Sequence, residues 1–179
     1  MRFFLVLFFI FLSLTAFAGD FSVSTQALNA DGSLQTKNIF NDLGCGGENM
    51  SPELAWRDAP AETKSFAVTV YDPDAPAGGW WHWTLFNIPA STSRLPEGAS
   101  MNNTKLPQGI SEGINDFGKH GYSGPCPPAG DKPHRYLMTV YALKIARPDL
   151  SQTTPGTKVG FYLRHNALAT ASVTGTYGR

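Results

Sequence analysis

A chain of 179 residues with 14 Lys+Arg against 14 Asp+Glu and no runs of like charge lacks the basic face that nucleic acid or an anionic membrane surface would require. Its 18 Gly and 13 Pro are spread along the sequence, which marks many turns and favours a mainly β domain. The two cysteines have no C-x-x-C spacing, so they do not read as a zinc site.

The N-terminus opens with Met1-Arg2, an apolar run from Phe3 to Leu12 and the small-residue triplet Ala16-Phe17-Ala18. A short positive region, an apolar core and an A-x-A site form the pattern of a secretory signal peptide, and the run is shorter than the roughly 20 residues a membrane span needs. The expectation is cleavage after Ala18, no transmembrane anchor, and a periplasmic or secreted protein. Removing 18 residues from 179 leaves 161, a length suited to a single domain over 19–179. Outside the cytoplasm thiols are oxidised, so Cys45 and Cys126 are expected to form a disulfide.

From Gly19 onward short strands alternate with long turns. Phe21 and Val23 alternate with Ser22 and Ser24, as in an edge strand. Asn41 to Pro52 is a Gly- and Asn-rich loop, and Leu54 and Trp56 reach a core. Phe66 to Tyr71 is a strand that delivers Asp72 at its end. Asp72-Pro73-Asp74-Ala75-Pro76 and the Gly78-Gly79 pair then form a turn, and Trp80 to Ile88 is a second strand closed by Pro89. Simple alternation places His82, Thr84, Phe86 and Ile88 on one face and Trp81, Trp83, Leu85 and Asn87 on the other.

Pro89 to Gly121 reads as a long surface excursion. It holds an Asn102-Asn103-Thr104 glycosylation sequon and, at Asn115-Asp116-Phe117-Gly118, a turn carrying a buried Phe. The Pro-rich stretch Gly124 to Pro133 feeds another strand, His134 to Leu143, with His134 and Tyr136 on one side. Backbone N–H groups of Gly124 and Cys126 are candidate donors beside them. Thr157 to Ala171 is the best helix candidate, with Phe161, Leu163, Ala167, Leu168 and Ala171 as its apolar stripe. His120 and His165 have no partner in view and read as solvated or packing residues.

Three stretches taken together, Asp72-Pro73-Asp74-Ala75-Pro76, Trp80-Trp81-His82-Trp83 and Gly130 through His134-Arg135-Tyr136, resemble the phosphatidylethanolamine-binding protein family. The similarity is greatest to its exported bacterial, Raf-kinase-inhibitor-like members. The resemblance implies Greek-key antiparallel β-sheets with a few peripheral helices. It also implies a small surface pocket in which Asp72, His82, His134 and Tyr136, with Trp80, Cys126 and Pro128 as lining, bind phosphate or a phospholipid headgroup without cofactor or metal. Imidazolium and phenol groups donate charge-assisted hydrogen bonds to phosphate oxygens, so affinity is expected to fall as pH rises through about 6.5, where histidine loses its charge.

Two departures stand out. Eukaryotic members carry a longer C-terminal segment over the pocket, and glycine where this chain has Cys126. Kinase inhibition, known for some eukaryotic members, does not suit an exported chain. The reading is therefore a non-enzymatic binding module for an anionic small molecule or lipid headgroup. One alternative is a protein-interaction or inhibitor role through the pocket surface, with a partner protein or a second copy of the chain, which clustered exposed aromatics at Trp80 and Trp81 would favour. The other is a small hydrolase using Asp72, His82 and His134 as a metal site or as acid and base.

Overall fold

The computed structural model describes residues 19–76, 78–100, 106 and 108–179. The expected signal peptide, Met1 to Ala18, and the Asn102 sequon lie outside the described residues. Among the described residues the fold consists of two antiparallel sheets and one α-helix. The small sheet has the order β1 (Ser22–Ser24), β2 (Leu54–Arg57), β5 (Arg94–Leu95). The large sheet has the order β6 (Ser111–Glu112), β4 (Trp80–Pro89), β3 (Ser65–Asp72), β7 (His134–Leu143), β8 (Ala167–Tyr177). All strand pairs are antiparallel. The chain leaves β4 on one side of β3 and returns on the other as β7, in keeping with the expected mainly β fold.

β3 is central because Phe66, Ala67, Val68 and Val70 are all buried, so both of its faces need cover. One face packs against the small sheet through Leu54, Trp56, Val68, Trp83, Leu85, Met138 and Val140. On the other, Ala67, Phe86, Tyr141 and Leu143 pack against Val159 and Leu163 of α1 (Gly156–Asn166). The result is three layers: small sheet, large sheet, helix.

Strict alternation in β4 fails at two β-bulges. One falls where Val70 and Tyr71 pair with Trp83 and Trp81, leaving His82 as the extra residue; the other falls between Phe66 and Val68, at Asn87, whose φ is 62°. Each extra residue shifts the side-chain parity. Ile88 therefore joins Trp83 and Leu85 in the inter-sheet core instead of following Phe86. Trp81 turns to the helix side, where its indole fills the space beside Gly156 and Gly160.

The predicted helix also differs. It ends at Asn166, and Ala167 to Tyr177 runs as an eleven-residue strand beside β7. Of the expected stripe, Phe161 is 69% exposed and Leu168 41%, while Leu163 is buried; the buried face of the helix is Gly156, Val159, Gly160 and Leu163. Ala-rich sequence is a strong helix former, but here the open edge of β7 pairs all eleven backbone positions but one. The stretch after Pro89 is not merely superficial, since it supplies β5 and β6 and buries Leu95 and Ala99 completely.

Candidate functional site

Antiparallel neighbours on both sides of β3 decide where the polar residues meet. The C-terminal end of β3 lies beside the N-terminal ends of β4 and β7: Asp72 is opposite Trp80, and Tyr71 is opposite Leu137. Asp72, His82, His134 and Tyr136 therefore converge at one end of the large sheet. They line a cavity of about 160 Å³ together with Trp80, Cys126 and Pro128, and Ala75, Pro76, Phe117 and Pro127 complete its wall.

Asp72 is 2% exposed and both its oxygens are engaged. Oδ1 accepts the N–H groups of Asp74 (2.8 Å) and Ala75 (3.0 Å), which shapes the turn. Oδ2 lies 2.8 Å from Nδ1 of His134, and fixes that ring. The other ring nitrogen of His134 is 3.7 Å from Oδ2 of Asp131. Arg135, next in sequence to His134, pairs its guanidinium with Asp74. It donates to both oxygens of Asp74 at 2.9 and 2.7 Å, while its backbone N–H donates at 2.9 Å. Those hydrogen bonds hold the Asp74 carboxyl down at about 2, and they tie the β3–β4 turn to the start of β7.

His82 sits on a bulge, where an extra residue can be aimed independently of the ladder. Ser123 grips it twice: the Ser123 N–H donates to the His82 carbonyl at 3.0 Å, and His82 Nδ1–H donates to the Ser123 carbonyl at 2.7 Å. Asn115 Nδ2 steadies Ser123 through its Oγ at 3.0 Å. The imidazole is buried, and desolvation of its charged form lowers its pKa to about 4. His82 is thus neutral around pH 7, which corrects the expectation that both histidines lose a charge near pH 6.5.

Tyr136 is fully buried, and burial with the Asp72 carboxylate beside it pushes the phenol well up, so it remains an O–H donor. Its hydroxyl faces the Asp72 carboxylate without a well-aligned hydrogen bond, and the Nε1–H of Trp80 is buried with no hydrogen-bond partner. The Gly124 N–H, expected to be free, donates instead to Asn49 Oδ1 at 2.7 Å.

Cys126 reaches the cavity from the Pro-rich loop and is disulfide-bonded to Cys45, with the Cα atoms 5.7 Å apart. Arg179 braces the same wall: its Nε donates to the Pro127 carbonyl at 2.7 Å, its Nη1 to the Leu43 carbonyl at 3.3 Å, and its own carbonyl accepts the Gly130 N–H at 2.9 Å. Sequence reasoning missed Arg179 and Ser123, for which no local pattern gives a signal. Phe117 was legible only as part of a turn. It is half-buried, stacks on Phe40 at 4.8 Å and meets the rings of Trp80 and His82 edge-on at 5.3 and 5.6 Å.

The exposed aromatics at Trp80 and Trp81 that would favour a protein-interaction role are not there, since Trp80 is half-buried in the cavity wall and Trp81 is buried beneath α1. Among the described residues no three His, Cys, Asp or Glu side chains are grouped to hold a metal, and the described helix is too short to cross a membrane.

Comparison with known proteins places this architecture. The profile of the family described as "Phosphatidylethanolamine-binding protein" matches residues 24–178. The UPF0098 protein YbcL of Escherichia coli (strain K12) is 47% identical over 169 residues, covering 93% of this chain and 92% of that protein. YbhB of the same organism is 48% identical over 145 residues, covering 80% and 91%. The crystal structure of E. coli YbcL, described as a new member of the mammalian PEBP family, superposes with a TM-score of 0.86 over 90% of this chain and 99% of that one. A PEBP homologue from Chlamydia trachomatis, 31% identical, gives 0.72 over 89% and 97%. With a whole-length family match and a shared fold at this identity, the chain belongs to the phosphatidylethanolamine-binding protein family.

Proposed function

We propose that the protein is a non-enzymatic binding protein whose cavity takes a phosphate-type anion, free or as a phospholipid headgroup, in an oxidising compartment outside the cytoplasm, where occupancy governs its contact with a partner protein. The observation that carries the reading is a pair of buried donors on residues that line the cavity and lack a well-formed hydrogen bond, Trp80 Nε1–H and the Tyr136 O–H beside Asp72. A buried donor without a partner costs free energy, and an anionic oxygen is the acceptor that would satisfy it best. The disulfide at the wall suits export. A hydrolase is disfavoured because both Asp72 oxygens are already committed.

Titration with inorganic phosphate, followed by backbone amide NMR, tests this. Saturable shifts should be confined to the residues around the cavity. Tyr136→Phe, which removes only the hydroxyl, should weaken affinity by roughly tenfold, the worth of about one hydrogen bond to a charged group. Unchanged affinity in that variant, or no shifts at millimolar phosphate, would sink the reading and leave the partner-protein role in front.

A further inference from the structure

A second cavity, of about 410 Å³, shares no lining residue with the first; Gln108, Ile110, Glu112, His120 and Gln152 are in its wall. The β4–β6 pairing sets Glu112 opposite Leu85, and the Ile114 N–H, donating to the Gln152 carbonyl at 2.7 Å, brings the loop before α1 alongside. Neutral donors hold the Glu112 carboxylate. Trp83 Nε1–H, on a completely buried indole, donates to its Oε1 at 2.9 Å. The Ser100 hydroxyl, fixed by the Tyr122 N–H at 2.7 Å, lies beside the same carboxylate. Gly121 backs it closely: a Cβ there would stand 3.3 Å from both carboxylate oxygens.

A carboxylate is a costly way to hold an indole. The side-chain carbonyl of a glutamine would accept the same hydrogen bond, whereas a half-buried charge without a counter-ion gives up hydration with no return. Desolvation raises the Glu112 pKa for that reason. Among the described residues no Lys, Arg or His forms an ion pair with it, and His120 acts on it only through space. We propose that this cavity binds an organic cation, a primary ammonium or guanidinium on a short apolar stem, whose charge Glu112 balances. The stem lies against Ile110. The side-chain carbonyls of Gln108 and Gln152 and a neutral His120 ring are the acceptors for the N–H groups that the carboxylate leaves over. A bare metal ion fits less well, because Glu112 and His120 are the two strong ligands in this wall and a zinc site takes three or more from the protein.

The test uses the purified protein at pH 7 and constant ionic strength, with butylammonium and butylguanidinium as probes and 1-butanol, which has the stem without the charge, as control. NMR reads the Trp83 indole N–H, which does not line the cavity and so senses a ligand through the Glu112 oxygen it is bonded to. At least one cation should saturate in the millimolar range, moving the Trp83 indole and the Glu112 and His120 amides while the Trp80 indole stays in place, and 1-butanol should bind about tenfold more weakly or worse. Glu112→Gln keeps an acceptor for Trp83 and removes the charge. It should weaken the cation about tenfold or more and leave the urea midpoint equal to or above that of the parent, an outcome that a purely structural carboxylate would not give. The inference would be overturned by cations that do not saturate, by equal binding of 1-butanol, by shifts confined to Trp80 and His134, or by full affinity in Glu112→Gln. Should that variant fail to fold, the contrast between cation and alcohol on the parent protein still decides. None of these outcomes bears on the anion reading of the first cavity.

Discussion

An imidazole that is 3% exposed resists protonation, and His82 couples that resistance to the stability of the whole protein. In the unfolded chain the ring titrates near 6.5, and in the fold at about 4. Between those values the unfolded state binds a proton that the folded state refuses, so stability falls as pH drops from about 6.5 to about 4 and is flat in this respect above it. The full effect is of the order of 3 kcal/mol for one group. Urea unfolding across that range should show it, with a slope that disappears in His82→Gln. A slope that persists in the variant would assign the proton elsewhere. Asp74 acts in the same direction but lower. Its carboxyl, held at about 2 by Arg135, contributes stability that is lost only as pH falls from about 4 towards 2.

At the scale of elements, α1 shows packing overruling propensity. Gly156 and Gly160 stand four residues apart on the helix face that meets β4, and a Cβ on either would run into the Trp81 indole. An alanine in a helix interior normally stabilises by about 1 kcal/mol relative to glycine. Here Gly160→Ala should instead lower stability by roughly 1–3 kcal/mol through overpacking. A denaturant midpoint equal to or above that of the parent would show that the indole yields freely. The end of this helix illustrates why element boundaries were misread. Residues 167–174 are Ala-Leu-Ala-Thr-Ala-Ser-Val-Thr, which fit a helical stripe on composition alone. Their pairing with β7, a contact remote in sequence, makes them a strand with alternating exposure.

Across the whole molecule, the Cys45–Cys126 disulfide joins loops 81 residues apart, one of which forms the cavity wall. The chain-entropy model gives about 4–5 kcal/mol for a loop of this length, and typical measured values are about 2–4. Cys45→Ser with Cys126→Ser should therefore lower unfolding free energy by about 2–4 kcal/mol, read by urea denaturation. An equal midpoint with and without the bond would mean that Arg179 and the backbone contacts of the Pro-rich loop suffice to hold it.

The sequence by itself determined the strand-rich class and the central strands at Phe66–Tyr71 and Trp80–Ile88, because Pro and Gly interrupt the chain and β-branched and aromatic runs fill the strands. Its resemblance to the family identified most of the residues gathered at the cavity. Tertiary structure alone decided what those residues can do. The bulges that reassign the faces of β4 arise from register against β3. His82 is neutral because desolvation outweighs the Ser123 carbonyl, 41 residues away, which favours the protonated ring; Asp72 is committed by its own turn and by His134 on β7, and Gly124 by Asn49 in a distant loop. Charge state and hydrogen-bonding capacity are set by neighbours in space, which a linear pattern does not encode.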